Sequence, residues 1–217
     1  MSKNNGGYMG QQVGKLGPAV GRIWRGMNVY AGYQKFVKNP RTVDQLAVRA
    51  KFGTLASISR AMRAATKKGL AGIKTIWDGN NAFMHINWDA VSGATAAEVA
   101  VSYADLVVSR GNLPPVVFGS ADFETPLTVK ASFSSNEELD GADASDEVYM
   151  LVYQADLKQA VLGAPVLRSS EGIDVLVPAS WSGMRVHVYG FAVAGGMNEE
   201  MKGQTSDSTF IGTGNIG

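Results

Sequence analysis

From about residue 80 to residue 212 the apolar residues recur with a period of two, and no other feature narrows the possible folds as far. Leu127, Val129, Ala131 and Phe133 alternate with Thr128, Lys130 and Ser132, and Ile173, Val175 and Val177 alternate with Asp174 and Leu176. Successive side chains of a strand point to opposite faces, so this alternation describes strands with one face in a core. Similar runs occupy 82–88, 97–103, 105–109, 115–118, 147–153, 184–194 and 207–211, which places both histidines, His85 and His187, in expected strands. Turn signals at Ser92-Gly93, Gly111-Asn112, Asp140-Gly141, Ser182-Gly183 and Gly195-Gly196 separate them. That spacing suits an antiparallel, Ig-like β-sandwich and not a βαβ alternation, so the chain is expected to be mainly β.

Two further regions precede the sandwich. Residues 1–40 carry Gly at 6, 7, 10, 14, 17, 21, 26 and 32, with Pro18 and Pro40, a density that costs too much backbone entropy for a helix. Tyr8, Ile23, Trp24, Met27, Val29, Tyr30, Tyr33 and Phe36 lie between the glycines, more apolar material than a solvated linker needs. An extended Gly-rich arm that lies against another surface is expected. Thr42 followed by Gln45 then has capping-box spacing, and Val43, Leu46, Ala47, Ala50, Leu55, Ile58, Met62 and Ala65 follow helical periodicity to about Lys68, with Gly53 as a possible bend. A turn of about 100° per residue gathers Arg49, Arg60, Arg63 and Lys67 into one cationic stripe. The expected organisation is therefore a Gly-rich basic arm (1–40), a basic amphipathic helix (41–75) and an acidic antiparallel β-sandwich (76–217).

The charges are segregated in the same way. Residues 1–75 carry fourteen Lys or Arg against the single acid Asp44, a balance of +13. The remaining 142 residues carry six Lys or Arg against eighteen Asp or Glu, a balance of −12. Such asymmetry speaks of a partner and says little about the fold. A basic stripe is most often simply solvated, and with Trp24 between Arg22 and Arg25 it could also meet phosphates and bases. The acidic sandwich of a neighbouring copy is the better counterpart, because complementary surfaces on one chain steer head-to-tail association into rings or tubes.

No motif supplies a chemistry. Gly14-Lys15-Leu16-Gly17-Pro18-Ala19-Val20-Gly21 has neither dinucleotide-binding nor P-loop spacing. There is no Cys, which excludes thiol catalysis, Cys-based zinc sites and disulfides. No Gly-x-Ser-x-Gly elbow accompanies the two histidines, and paired carboxylates for glycoside chemistry are equally unanchored. The loop from Ser134 to Glu147 gathers six carboxylates, Glu137, Glu138, Asp140, Asp143, Asp146 and Glu147, but not at EF-hand spacing, so a solvated hairpin loop is expected over a calcium site. No catalytic residue, cofactor or metal ligand is nominated, and the chain is not expected to be an enzyme. Its polar N-terminus lacks the apolar core of a secretory signal and no apolar run is long enough to span a bilayer, so a protein made in the cytoplasm without membrane insertion is expected.

The N-terminal segment Gly14 to Gly21, then Trp24-Arg25-Gly26, then Asn39-Pro40-Arg41-Thr42 with Gln45, Arg49 and Phe52, resembles the signature of an uncharacterised protein family from Bacteroidota and their phages. The later pieces Tyr103 to Leu113, Val186-His187-Val188-Tyr189 and Ser206 to Gly212 are similar to that family too. The resemblance implies a virion or prophage setting and carries no activity with it. The resulting expectation is a phage virion structural protein that self-assembles as a ring, neck, tail or capsid-decorating component, with other virion proteins as further partners. Trp24, Arg25, Tyr30, Arg49, Arg60, Arg63 and Lys67 are the expected basic side of the interface, and Glu137, Glu138, Asp140 and Asp143 the acidic side. The alternative is a sandwich that binds a carbohydrate or host surface through Trp88 and Trp181. A nucleic-acid contact ranks third.

Overall fold

In the computed structural model, which describes residues 3–5, 11–36, 39, 41–71, 73, 79–195 and 204–217, the segment Val148–Gln154 is buried without interruption. Its sequence, Val-Tyr-Met-Leu-Val-Tyr-Gln, is a nearly unbroken apolar run, which is what a strand covered on both faces requires. The chain divides into two compact units, Met1–Arg41 and Thr42–Gly217.

The first unit is a meander of four antiparallel strands in chain order, β1 (Lys3–Asn5), β2 (Gln11–Leu16), β3 (Ala19–Trp24) and β4 (Met27–Gly32). The expected extended arm is thereby corrected: the glycines turn the chain instead of stretching it. Leu16 pairs with Ala19 across Gly17-Pro18, and Trp24 pairs with Met27 across Arg25-Gly26. Arg25 and Gly26 both take positive φ, 50° and 80°, the two-residue hairpin geometry whose twist matches that of the flanking strands.

The second unit opens with helix α1 (Val43–Ala61), capped as its sequence suggests: the Gln45 amide donates to Thr42 Oγ1 at 3.3 Å. Gly53 does not split it. The helix is interrupted at Met62, where ψ is 9°, and continues as α2 (Arg63–Gly69), with the Thr66 amide donating to the Met62 carbonyl at 3.0 Å. Residues 82–88, expected as a strand, instead lie in α3 (Gly79–Ile86) and a following 3-10 turn at Trp88–Ala90. His85 is thus helical and exposed, a correction. The expected strands at 97–103 and 105–109 shrink to β6 (Ala100–Val101), paired with β5 (Val91–Ser92). Side chains do the work of a neighbouring strand there: Asn87 Oδ1 accepts from the Val107 amide at 2.6 Å and Ser208 Oγ accepts from the Val108 amide at 2.9 Å.

The remaining strands are β7 (Val117–Asp122), β8 (Thr128–Ser134), β9 (Glu147–Gln154), β10 (Gln159–Leu162), β11 (Val166–Leu167), β12 (Gly172–Leu176), β13 (Arg185–Val193) and β14 (Thr209–Asn215). They form two antiparallel sheets, β10-β9-β13-β14 with β11 also on β9, and β12-β8-β7. Val148, Met150 and Val152 of β9 and Val186, Val188 and Ala192 of β13 meet Val129, Ala131, Phe133, Ile173 and Val175 of the smaller sheet in one core. The fold is therefore the expected antiparallel sandwich, mainly β. The alternate residues Tyr149, Leu151, Tyr153, Tyr189 and Phe191 point the other way, into a second core with Leu55, Ile58, Met62, Ala65 and Phe83. The helices are a third layer on the central sheet, which corrects the separate 41–75 domain. Gly6, Gly7, Tyr8 and Gly10 of the expected arm, Pro40 at its end and Gly196 of an expected turn lie outside the described residues.

Candidate functional site

The N-terminal meander brings together three of the residues expected at an interface. Register and alternation put Lys15, Val20, Arg22, Trp24, Met27, Val29 and Ala31 on one face, since Lys15 pairs with Val20, Val20 with Ala31, Arg22 with Val29 and Trp24 with Met27. Trp24 is 51% exposed and Tyr30, on the opposite face, 52%. The Arg25 guanidinium carbon sits 5.1 Å from the Trp24 ring and Lys15 Nζ 4.0 Å from the Tyr33 ring, both within cation–π range. Among the unit's described residues only Gly21 is buried, and neither hydrophobic core includes any of them.

Arg49, Arg60, Arg63 and Lys67 are all exposed on the outward side of α1 and α2. The apolar side of those helices is already occupied: Leu55, Ile58, Met62 and Ala65 belong to the second core. The first turns of α1 behave differently, because Val43, Leu46, Val48 and Phe52 remain exposed. Phe52 joins Met84, His85 and Trp88 around a groove of about 370 Å³, with Lys51 Nζ 4.8 Å from the Trp88 ring.

The acidic loop is split in two by its own hydrogen bonds. Glu137, Glu138 and Asp140 are exposed, as expected of an interface. Asp143 is instead turned to the backbone, accepting from the Ser145 amide at 2.8 Å, and its hydrogen bonds to Ser145 lower its carboxyl below the usual range. Asp146 is buried against Arg168, whose Nε donates to Asp146 Oδ2 at 3.0 Å while its other two nitrogens donate to the carbonyls of Ser135 and Pro114. Glu147 accepts from the Tyr149 hydroxyl, which in turn accepts from Lys68 Nζ at 2.9 Å. Among the described residues no three His, Cys, Asp or Glu side chains are grouped so as to hold a metal ion.

His187 faces the helical layer, stacked on Tyr103 at 4.0 Å between centroids, with its Nδ1 2.8 Å from Thr213 Oγ1. Burial, reinforced by the positive charge of Arg185 and opposed by Asp156, lowers its imidazole to about 4, so it is neutral near pH 7. Burial likewise raises Tyr153 to about 12. The Tyr189 hydroxyl, also raised by burial, donates to the Tyr103 carbonyl at 2.6 Å. The arrangement ties the 103–105 turn onto the central sheet. Trp181, expected as a loop aromatic, is fully buried in the sandwich core, whereas Trp88 keeps partial exposure. Sequence reasoning missed the Arg168–Asp146 pair and the Lys68–Tyr149–Glu147 chain; for Arg168 the signal was the scarcity of cations after residue 75, and for Lys68, one of many cations before it, there was none.

Among the described residues no helix is long and apolar enough to cross a membrane. The chain belongs to the family of unknown function DUF6266, whose model matches residues 10–210. No curated protein and no solved structure matches it.

Proposed function

We propose that this family member is a non-enzymatic structural subunit of a phage particle, a ring, neck, tail or capsid-decorating component. On this reading its N-terminal meander attaches it to a second copy or to an adjoining shell protein. One observation carries the reading. The meander displays Trp24, Met27, Tyr30, Tyr33 and Phe36 together with Lys15, Arg22 and Arg25, and its described residues form no apolar core of their own. A small sheet is marginal in water unless a hydrophobic face is covered, so a cationic and aromatic sheet of this kind is suited to being completed by a negatively charged neighbour. The particle setting rests on the resemblance of the N-terminal signature.

The test uses the full chain at low ionic strength. Sedimentation and electron microscopy of the purified protein should show large oligomers of defined size, and the substitutions Trp24→Glu and Tyr30→Glu should reduce them to monomers without changing the melting temperature of the second unit. A native protein that remains monomeric at high concentration defeats the reading. The alternative of a carbohydrate- or host-surface-binding module retains only Trp88 of its two aromatics, beside Phe52; retention on glycan by a monomeric protein would favour it.

A further inference from the structure

A groove of about 500 Å³ lies between the last turns of α1 and the β9–β10 turn. Arg60 and Lys158 supply two cations, Ala61, Val161 and Pro178 supply apolar wall, and no carboxylate among the described residues lines it. Trp181 is part of the same wall, and its indole N–H is buried with no hydrogen-bond partner. With Trp181 fully buried, the indole backs the groove from within the sandwich core. Lys158 also holds a left-handed backbone, φ 53°, a position that a glycine would occupy with less strain.

We propose that this groove receives the acidic loop around Glu137–Asp140 of a second copy of the chain. The inference rests on the self-assembly reading above and names one of its contacts. The loop matches the groove in two respects. Glu137, Glu138 and Asp140 are exposed carboxylates that meet Arg60 and Lys158, and the Leu139 side chain between them, 45% exposed, meets the apolar wall. A free inorganic anion would answer the cations alone and leave both Leu139 and the apolar wall in water. The loop is also held in shape before it binds. Its Leu139 amide donates to the Asn136 carbonyl at 3.2 Å, and Arg168 Nη1 donates to the Ser135 carbonyl at 3.0 Å. Pre-formed loops lose less freedom on docking.

Charge exchange in the full chain tests the contact. Arg60→Glu with Lys158→Glu, and separately Glu137→Lys with Glu138→Lys, should each weaken self-association by about tenfold or more at low salt, and a chain carrying all four changes should recover it. Either pair associating like the native protein, or no recovery in the fourfold variant, overturns the proposal. If the Trp24→Glu and Tyr30→Glu chain dissociates while these variants do not, the N-terminal attachment stands and this contact falls. A second measurement uses two full chains: the Arg60→Glu, Lys158→Glu chain, which keeps its acidic loop, is titrated into the Glu137→Lys, Glu138→Lys chain, which keeps its groove, while the indole N–H resonance of Trp181 in the latter, assigned through Trp181→Phe, is followed. A saturable shift supports the contact. No shift, or an equal shift with inorganic phosphate, overturns it.

Discussion

Arg168 shows how much one side chain can hold together. Its guanidinium is fully buried and touches the Asp146 carboxylate and the carbonyls of Ser135 and Pro114, so it joins the start of the acidic loop, its end and the segment before β7. Asp146 is satisfied in turn by the amides of Gly195 and Asp143, both at 3.1 Å. Removing one partner of such a pair strands a charge out of water, so Arg168→Ala should cost about 3–5 kcal/mol in urea unfolding. His187 makes a second prediction at this scale. Its folded imidazole titrates at about 4 against 6.5 for an ordinary histidine. Between those values the unfolded chain binds the proton and the folded chain does not, so stability falls as pH falls from about 6.5 towards 4 and is unaffected by this group above that window. Urea midpoints measured across the window should show this slope, and His187→Gln should flatten it.

At the scale of elements, β9 and β13 organise the second unit because each buries alternate residues in two different cores. The one gap in the sandwich-facing side of β13 is Gly190, and it is filled from another strand: a Cβ there would meet the Phe118 ring of β7 at 2.3 Å. Gly190→Val should expel that ring and destabilise the protein by about 1–3 kcal/mol in thermal unfolding, with Phe118→Ala in the same chain recovering part of the loss. Strands with clean alternation or continuous apolar runs were legible in sequence: β8, β9, β12 and β13 all lie where periodicity places them. Residues 82–88 were not, because Met84, Ile86 and Trp88 alternate with His85 and Asn87 although the backbone is helical. There the polar position is internal: Asn87 Nδ2 donates to the carbonyls of Phe83 and Val107, both at 2.9 Å. The expected arm failed for a related reason, since glycine density excludes helix without distinguishing an extended chain from a hairpin whose turns require positive φ.

For the whole molecule the charge segregation takes on a structural form. Arg49, Arg60, Arg63 and Lys67 stand on the outward side of a helical layer whose inner side is committed to the central sheet, and the cations of the meander stand among exposed aromatics. If such surfaces meet the carboxylates of a second copy, the attraction is screened over about 10 Å at 0.1 M salt. The oligomers expected of the native chain should therefore shrink as salt is raised towards 1 M, and sedimentation over that range measures it. A size distribution indifferent to salt would show that apolar contacts alone hold the assembly.

What the sequence determined by itself was the class of fold, the Thr42 cap with its helix and the separation of charge, because periodicity, capping and composition are read from near neighbours along the chain. Which side of that helix was already taken, which carboxylates of the acidic loop were free, and that Trp181 lies beside two cations with an unanswered N–H were decided by tertiary structure. Each of these depends on residues far apart in the chain meeting across a core, as Asp146 meets Arg168 and Leu55 meets the central sheet, and no local pattern encodes such a meeting.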